Sequence, residues 1–458
     1  MKLVKSLLLG APAALLVVGA ASAADLPSKK AAPATYVKIC DAYGAGFFYI
    51  PGTDTCLKVG GYVRAEYSIQ QRGNQATSTT AASTLLAKGE DLTGFRTRGR
   101  VDMDARTQSA WGTVRTVFAL RLQSQSGVYL ANSYGGNNAV TPAIEAAFVQ
   151  FAGLTAGRAA DNFGFMPGST HFFSGGHQWA GFPVGVKQLA YTATFGGGFS
   201  GTIALVDRFD MGNAANYVNA GVAAPTTITY PQTMPVVEAN LRIDQAWGSA
   251  QLMGAVQKNE AFISNAVGSV SKTGYAIGAG VKFNLPMLAA GDQLWLTAAY
   301  ADGFNDMTIG NGGSSNVLDQ YDMLRGFQRT DNSYAVVGTS STAFAAQNEK
   351  TWSVGGALVH YWAPTWRSIL GASYGNYKPG SAMAAATIAN GGLGKGEIYD
   401  VSASLIWSPV PNLDIGAEVQ YRKLKQSVLA ADATTLATNG VKVSPSDLGA
   451  RIRVQRTF

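Results

Sequence analysis

Residues 447–458 read D-L-G-A-R-I-R-V-Q-R-T-F, and apolar and polar side chains alternate along this stretch. Leu448, Ile452, Val454 and Phe458 share one face, while Asp447, Arg451, Arg453 and Gln455 occupy the other. Side chains of a β-strand point to opposite sides with period two. A strand between lipid and a water-filled lumen needs one apolar and one polar face. The stretch therefore predicts the closing strand of a transmembrane β-barrel.

A closing strand needs a first strand of the same character beside it, and residues 57–69 supply one. Leu57, Val59 and Val63 alternate there with Lys58 and Arg64. In hydrocarbon every backbone N–H and C=O must find a partner, so a sheet in lipid cannot keep an open edge. We therefore expect residues 57–69 to pair with residues 447–458.

About sixteen alternating segments follow each other between these two ends, and the links between them alternate in length. Seven links are short: 107–111, 152–153, 196–198, 246–248, a turn containing Pro286, 363–364 and 409–412. Short turns at one end and long loops at the other are typical of outer-membrane barrels, whereas a β-sandwich has no reason to sort its loops. The predicted fold class is all-β: a transmembrane antiparallel β-barrel of about 16 strands, wide enough for an aqueous channel.

The chain begins with a segment typical of export. Lys2 and Lys5 precede an apolar run that ends at Ala21-Ser22-Ala23. This pattern predicts a cleaved signal peptide over residues 1–23. The alternative, an uncleaved anchor, is disfavoured because the run is short for a transmembrane helix. No later segment supplies about 18 uninterrupted apolar residues, which excludes a helical membrane protein.

Residues 24–56 form a lead-in to the barrel, which we assign to residues 57–458. The lead-in holds the two cysteines of the chain, Cys40 and Cys56. An exported protein meets an oxidising compartment, and an even cysteine count favours a bridge. We expect a disulfide between them.

Composition argues against several function classes. The formal net charge is +7, but the basic residues recur singly on polar strand faces and not in runs, so nucleic-acid binding is not expected. The three histidines, His171, His177 and His360, complete no metal ligand set, and neither G-x-S-x-G nor H-E-x-x-H occurs. We therefore expect no enzyme activity, no metal and no cofactor.

The charged strand faces should line the channel, because a charge facing lipid near the bilayer midplane costs roughly 2–4 kcal/mol. The candidate pore-lining and constriction residues are Arg64, Arg96, Arg98, Arg100, Arg115, Arg121, Arg158 and Asp161. Adjacent strands would join these arginines into a basic ladder on one wall, which would bias the solutes that enter. The alternative is a set of separate arginines, each paired with a nearby Asp or Glu.

The long link at residues 159–186 is too aromatic for a solvated surface loop. It contains Phe163, His171, Phe172, His177 and Trp179. We expect this loop to fold into the barrel and narrow the lumen. Asp161 is its one acid, so we predict an eyelet that weakly favours anions or is barely selective, with screening by salt.

Two stretches resemble the beginning of the alphaproteobacterial general porins. Residues 37–53 read V-K-I-C-D-A-Y-G-A-G-F-F-Y-I-P-G-T, and residues 56–64 read C-L-K-V-G-G-Y-V-R. The resemblance implies a sixteen-stranded trimeric outer-membrane porin whose third long loop folds inward.

On that pattern residues 159–186 are the constriction loop, and the facing basic wall consists of Arg96, Arg98, Arg100, Arg115 and Arg158. Phe458 matches the terminal residue that the barrel-assembly machinery reads in such proteins. One difference is that the inward loop of many porins is acid-rich, and this one is not.

Together these features predict a general diffusion porin that passes ions and small hydrophilic solutes across the bacterial outer membrane. The expected partners are outer-membrane lipid, lipopolysaccharide, the assembly machinery and two further copies in a homotrimer. Two alternatives remain open. One is a substrate-specific channel of the same fold, for a sugar or an anion. The other is a secreted β-rich adhesin or enzyme, which would be extracted without detergent.

Overall fold

Long antiparallel strands dominate the structure, which is a computed structural model. It describes residues 38–71, 92–129, 139–166, 185–207, 215–219, 228–263, 268–309, 334–338, 344–380, 393–428 and 446–458. The predicted signal peptide, residues 1–23, lies outside the described residues.

Sixteen strands form a ring, and we number them β1 to β16 in chain order. Their bounds are β1 Cys56–Gln71, β2 Thr93–Ser109, β3 Gly112–Gln125, β4 Ala139–Phe151, β5 Leu154–Ala160, β6 Gly185–Gly196, β7 Phe199–Val206, β8 Val236–Gln245, β9 Gly248–Ile263, β10 Gly268–Asn284, β11 Gln293–Asp302, β12 Lys350–Ala363, β13 Trp366–Lys378, β14 Leu393–Val410, β15 Leu413–Val428 and β16 Ser446–Thr457.

Each strand pairs antiparallel with the next, and β16 returns to β1. The closing register runs from Tyr62 opposite Thr457 to Gln71 opposite Leu448. The predicted pairing of the first and last strands is therefore confirmed, as is the closed antiparallel barrel.

The two faces of the wall have opposite character. Large apolar side chains such as Val63, Leu252 and Ile452 are 57–63% exposed. Polar side chains such as Glu66 and Arg453, on alternate positions of the same strands, are 1% and 3% exposed. A soluble sheet buries its apolar face, whereas a barrel in lipid turns that face outward and its polar face inward. The alternation read from the sequence thus decides which side faces lipid.

The links sort by length as predicted, with one exception: only four residues, 264–267, separate β9 from β10, where the sequence predicted a long link. Seven links of two to eight residues join β2–β3, β4–β5, β6–β7, β8–β9, β10–β11, β12–β13 and β14–β15. All seven lie at one end of the ring, which we call the short-turn end, and the opposite end is the long-loop end. Aromatic rings mark both ends of the outer face: Trp366 stacks on Trp407 at the short-turn end, and Trp352 lies 5.0 Å from Tyr374 at the long-loop end. Such belts are typical of the two lipid–water interfaces.

Smaller elements accompany the ring. Among the described residues, 3-10 helices of three residues occur at Asp41–Tyr43, Gly127–Tyr129 and Asn305–Met307. The short strands are Phe48–Tyr49 on β1, Ile228–Thr229 on β9, and Ala215–Asn219, Tyr334–Gly338 and Phe344–Asn348 in a separate sheet. Over the described ranges, no helix has the length and apolarity needed to cross a membrane.

The predicted disulfide joins Cys40 to Cys56 and holds the lead-in against the start of β1. β16 ends opposite Gly61, so the first residues of β1 extend beyond their neighbour. The strand Phe48–Tyr49 pairs with Cys56 and Leu57 at this place and covers part of the open edge. Covering an edge prevents pairing with foreign chains.

Candidate channel lining

Six of the seven predicted arginines share the inner face of β1, β2 and β3. Arg64 lies opposite Arg98, and Arg100 lies opposite Arg121. Arg96 is an even number of residues from Arg98 on β2, and Arg115 is an even number of residues from Arg121 on β3, so they lie on the same inner faces. Alternate residues such as Val63, Val101 and Leu122 are exposed on the outside. The inner wall therefore brings these arginines together.

Arg158 does not join them, which corrects its predicted place on the inner wall. It pairs with Ala147 on β4 and with Lys187 on β6. Leu154 and Leu189 occupy the same face of these strands and are 46% and 57% exposed. The physical reason is parity: Arg158 is four residues from the lipid-facing Leu154, so it lies on the outer face.

A network of buried charges lies where the first and last strands meet. The side chain of Glu66 is fully buried and accepts hydrogen bonds from Arg96 of β2 and Arg453 of β16. The Arg96 guanidinium also lies 4.5 Å from the Tyr129 ring, whose hydroxyl is 2.5 Å from Ser68 Oγ. Burial and the Glu66 charge raise the pKa of the Tyr129 phenol. One carboxylate thus ties three strands together, and Tyr129 covers the group.

Two further arginines have neutral hydrogen-bond partners. Arg64 Nε donates to Gln455 Oε1 at 2.8 Å. Arg98 donates to Gln123 Oε1 from Nε and Nη2, at 3.1 and 2.7 Å. A glutamine oxygen orients a guanidinium without neutralising it. Arg64 Nη1 also lies 3.9 Å from Glu66 Oε1, so Arg64 has an acidic partner as well.

The arginines nearer the short-turn end pair with carboxylates. Arg100 bonds Asp102 at 2.7 Å and Glu145 at 2.9 Å, and Arg121 bonds the other oxygen of Glu145 at 2.8 Å. Asp104 bonds Arg115 at 2.9 Å. For these residues the alternative of separately paired arginines describes the geometry.

Exposure separates the arginines into two groups. The side chains of Arg100 and Arg115 are 31% and 34% exposed, whereas those of Arg96 and Arg121 are 5% and 3% exposed. The first group is open to the lumen, and the second is covered by other parts of the chain. Arg100 and Arg121 lie opposite each other, so the exposure of these arginines does not follow their position along the barrel axis.

Residues 161–166, the described start of the predicted constriction loop, lie against the inner wall. Asp161 is 9% exposed, and its carboxylate accepts hydrogen bonds from the backbone N–H groups of Phe163 and Gly164. Asn162 donates its N–H to Glu238 on β8, and its carbonyl accepts from Asn240. Asp161 therefore fixes the turn that sends the chain inward.

Two phenylalanines of this segment pack against β10 and β11, which are distant in the ring from β5, where the loop begins. Phe163 is fully buried, and its ring lies over Gly278 of β10. Phe165 lies over Gly280 and 5.5 Å from Trp295 of β11, and Arg242 lies 5.4 Å from its ring. The glycines leave room for the rings, so the segment crosses the lumen side of β8 to β11. The remaining predicted loop residues, His171, Phe172, His177 and Trp179, lie outside the described residues.

Several residues of the lining were not singled out from the sequence. Glu66 and Arg453 were visible on the polar faces of their strands, but nothing in the pattern indicated that they meet. Glu145 lies at a bulge between β4 and β3, where the register shifts beside Ala119. Within the described part of the chain, His, Cys, Asp and Glu form no group of three suited to a metal ion.

The chain is similar to known proteins in sequence and in fold. The sequence profile of the porin subfamily matches residues 25–449. Porin Omp2b of Brucella canis is 33% identical over 258 residues, and that of Brucella melitensis is 34% identical over 256 residues. Each match covers 54% of this chain and 64% of the relative, so it spans less than two thirds of these relatives.

The outer membrane channel DcaP of Acinetobacter baumannii has the same fold. It superposes with a TM-score of 0.60 at 14% identity, over 90% of this chain and 99% of that chain. The closed ring, its apolar outside and its polar lining agree with the profile match. The chain belongs to the porin subfamily, whose members are β-barrels of the bacterial outer membrane.

Proposed function

We propose that this porin is a general diffusion channel through which ions and small hydrophilic solutes cross the outer membrane. The observation that carries the proposal is the closed sixteen-strand ring with charged side chains inward and apolar side chains outward. A ring of this size encloses more space than its inner side chains fill. Water and small solutes then pass without specific binding.

The charges on the lining support weak selectivity. On the inner face of β16 to β3 arginines such as Arg64, Arg98 and Arg453 outnumber carboxylates such as Glu66 and Asp104. This excess favours anions. Ion pairing by Asp104 and Glu145 reduces the preference, and salt screens it further. We infer a channel that is barely selective, with a slight preference for anions.

We also propose that the protein works as a homotrimer. β5 has seven residues and β7 has eight, so the wall is low in this sector. Lys187 and Asp207 form an ion pair at 2.6 Å beside Arg158 on the outer face. Exposed charges suit contact with another protein copy better than contact with lipid tails. The short-turn end would face the periplasm, and lipopolysaccharide would surround the rest of the long-loop end.

Two steps of biogenesis complete the proposal. Export would depend on the signal peptide of residues 1–23, cleaved before Ala24. The barrel-assembly machinery would then recognise the strand that ends at Phe458.

Planar-bilayer conductance of the purified, folded protein tests the function. We expect stepwise insertion of open channels whose current grows linearly with salt concentration. A salt gradient across the bilayer should give a small reversal potential of anion-selective sign. Conductance that saturates with one solute would favour the substrate-specific alternative, and no conductance from folded protein would contradict the channel function.

A further inference from the structure

A second stretch of chain, residues 303–309, lies inside the barrel directly after β11. Every side chain from Phe304 to Ile309 is at most 3% exposed. This stretch begins the long link between β11 and β12, and links between strands usually run over the protein surface. Its burial requires partners inside the lumen.

The turn that directs this segment inward needs glycine. Gly303 has φ +72°, and an added Cβ would lie 2.4 Å from Asn348 Cγ. The Gly303 carbonyl accepts hydrogen bonds from Gln257 Nε2 and Asn259 Nδ2 at 2.9 and 2.8 Å, both on the inner face of β9. The Gly303 N–H donates to the Glu349 carbonyl at 2.7 Å. The turn is therefore fixed to the wall at the long-loop end.

Hydroxyl groups attach the other end of the segment to β12. Thr308 Oγ1 lies 2.6 Å from Thr351 Oγ1, and Ser353 Oγ donates to the Thr308 carbonyl at 3.1 Å. Between the two attachments the chain forms the 3-10 helix Asn305–Met307. Backbone polar groups inside a barrel need such partners, so the inward path is specific.

Apolar contacts join this segment to the constriction loop. Phe304 and Met307 belong to the same buried cluster as Phe163 and Phe165. Ile309 belongs to a different cluster, with Tyr377 of β13, Ile398 of β14 and Leu424 of β15. The segment thus extends along the inner wall from β9 to β15, on the long-loop side of residues 161–166.

We propose that residues 303–309 are a second constriction element, which sets the solute size limit together with residues 161–166. This inference rests on the proposed channel function. The segment fills the lumen beside β9 to β15, so the water path runs along β1 to β4, where Arg100 and Arg115 contact water. It also supports residues 161–166 through the shared cluster, so the two inward segments act as one filter.

Removal of bulk from the segment tests the proposal. In Phe304→Ala/Met307→Ala we expect single-channel conductance to rise by about 1.5- to 2-fold, and larger sugars to enter proteoliposomes in swelling assays. The matched control is Met103→Ala/Phe262→Ala. It removes the same side chains from outward positions that are 37% and 48% exposed. The control should keep the conductance and the sugar limit of the unmodified protein.

A second variant tests the attachment and does not depend on the first. Thr351→Val/Ser353→Ala removes the wall-side hydroxyls with little change of shape, so the segment should move and open-channel current noise should rise about twofold. Heat-modifiable gel migration checks folding of each variant. If the first variant does not fold, the second decides. Folded variants with unchanged conductance, noise and sugar limit overturn the inference, whereas an unmodified protein that does not conduct overturns the proposed function.

Discussion

Gly61 and Phe458 exchange two backbone hydrogen bonds, with N···O distances of 3.1 and 3.0 Å. These bonds extend the pairing of β1 with β16 to the terminal residue. Gly61 has φ +150°, and an added Cβ would lie 2.0 Å from the Arg100 carbonyl oxygen and 3.2 Å from the Phe458 ring. The seam of the barrel therefore depends on a position that accommodates glycine alone.

Gly61→Ala should weaken closure of the barrel. The backbone conformation costs on the order of 1–3 kcal/mol for a non-glycine residue, before the clash with Arg100 is counted. We expect a lower yield of heat-modifiable barrel and a lower unfolding temperature. The control is Gly99→Ala on β2, where an added Cβ meets no atom within 4 Å. Equal stability of both variants would contradict the importance of the seam.

Phe458→Ala and deletion of Phe458 should differ in the test tube. The substitution keeps both backbone hydrogen bonds with Gly61, whereas the deletion removes both. We therefore expect the substituted protein to refold in detergent with a yield close to that of the unmodified protein, and the shortened protein to refold poorly. In cells both should assemble poorly if the assembly machinery reads the aromatic ring. Normal assembly of Phe458→Ala in cells would remove that role from Phe458.

Glu66→Gln should destabilise the protein strongly. The change leaves Arg96 and Arg453, whose side chains are 5% and 3% exposed, without the carboxylate between them. Removing one partner of a buried ion pair costs about 3–5 kcal/mol of stability. Asp104→Asn is the control, because its partners Arg106 and Arg115 are 27% and 34% exposed, and it should cost about 1 kcal/mol or less. Unfolding in urea measures both values, and equal losses would contradict the role of burial.

Cys40→Ser should loosen the lead-in and leave the channel intact. The bridge closes a loop with a sequence separation of 16, which corresponds to about 3 kcal/mol of stabilisation. Because the strand Phe48–Tyr49 depends on this loop, limited proteolysis should cut the lead-in sooner. Conductance should stay within experimental scatter of the unmodified channel. Unchanged protease resistance would mean that packing of Phe47 holds the lead-in without the bridge.

The sequence predicted the strands well wherever one face meets lipid. Leu241 and Ile243 alternate with Arg242 and Asp244 just before the predicted short link 246–248, and β8 ends there at Gln245. β9 follows this link and continues to Ile263. Beyond Lys258 the strand carries Asn259 and Glu260 in succession, so the apolar–polar alternation that lipid imposes is lost there.

The lining was predictable in part. The residue type indicates where a charge occurs, but the odd or even position of that residue along its strand decides whether it faces the lumen or the lipid. Counting from Leu154 would have placed Arg158 outside. Residues 303–309 gave no such signal, since G-F-N-D-M-T-I has no alternation and its inward path depends on distant partners such as Gln257 and Thr351. A single sequence does not contain those contacts in a local pattern.

Arg115 and Arg158 together test the assignment of inner and outer faces. Arg115 is 34% exposed on the inner face, whereas the register places Arg158 outside, opposite Lys187. Arg115→Gln removes a positive charge from the water path and frees Asp104 from one partner, so the lining becomes more negative. We expect the anion-to-cation permeability ratio to fall about twofold at low salt, where screening is weak. Arg158→Gln removes the same charge from the outer face and should leave the reversal potential unchanged. An equal shift in both variants would mean that Arg158 acts on the lumen, and would overturn its outer placement.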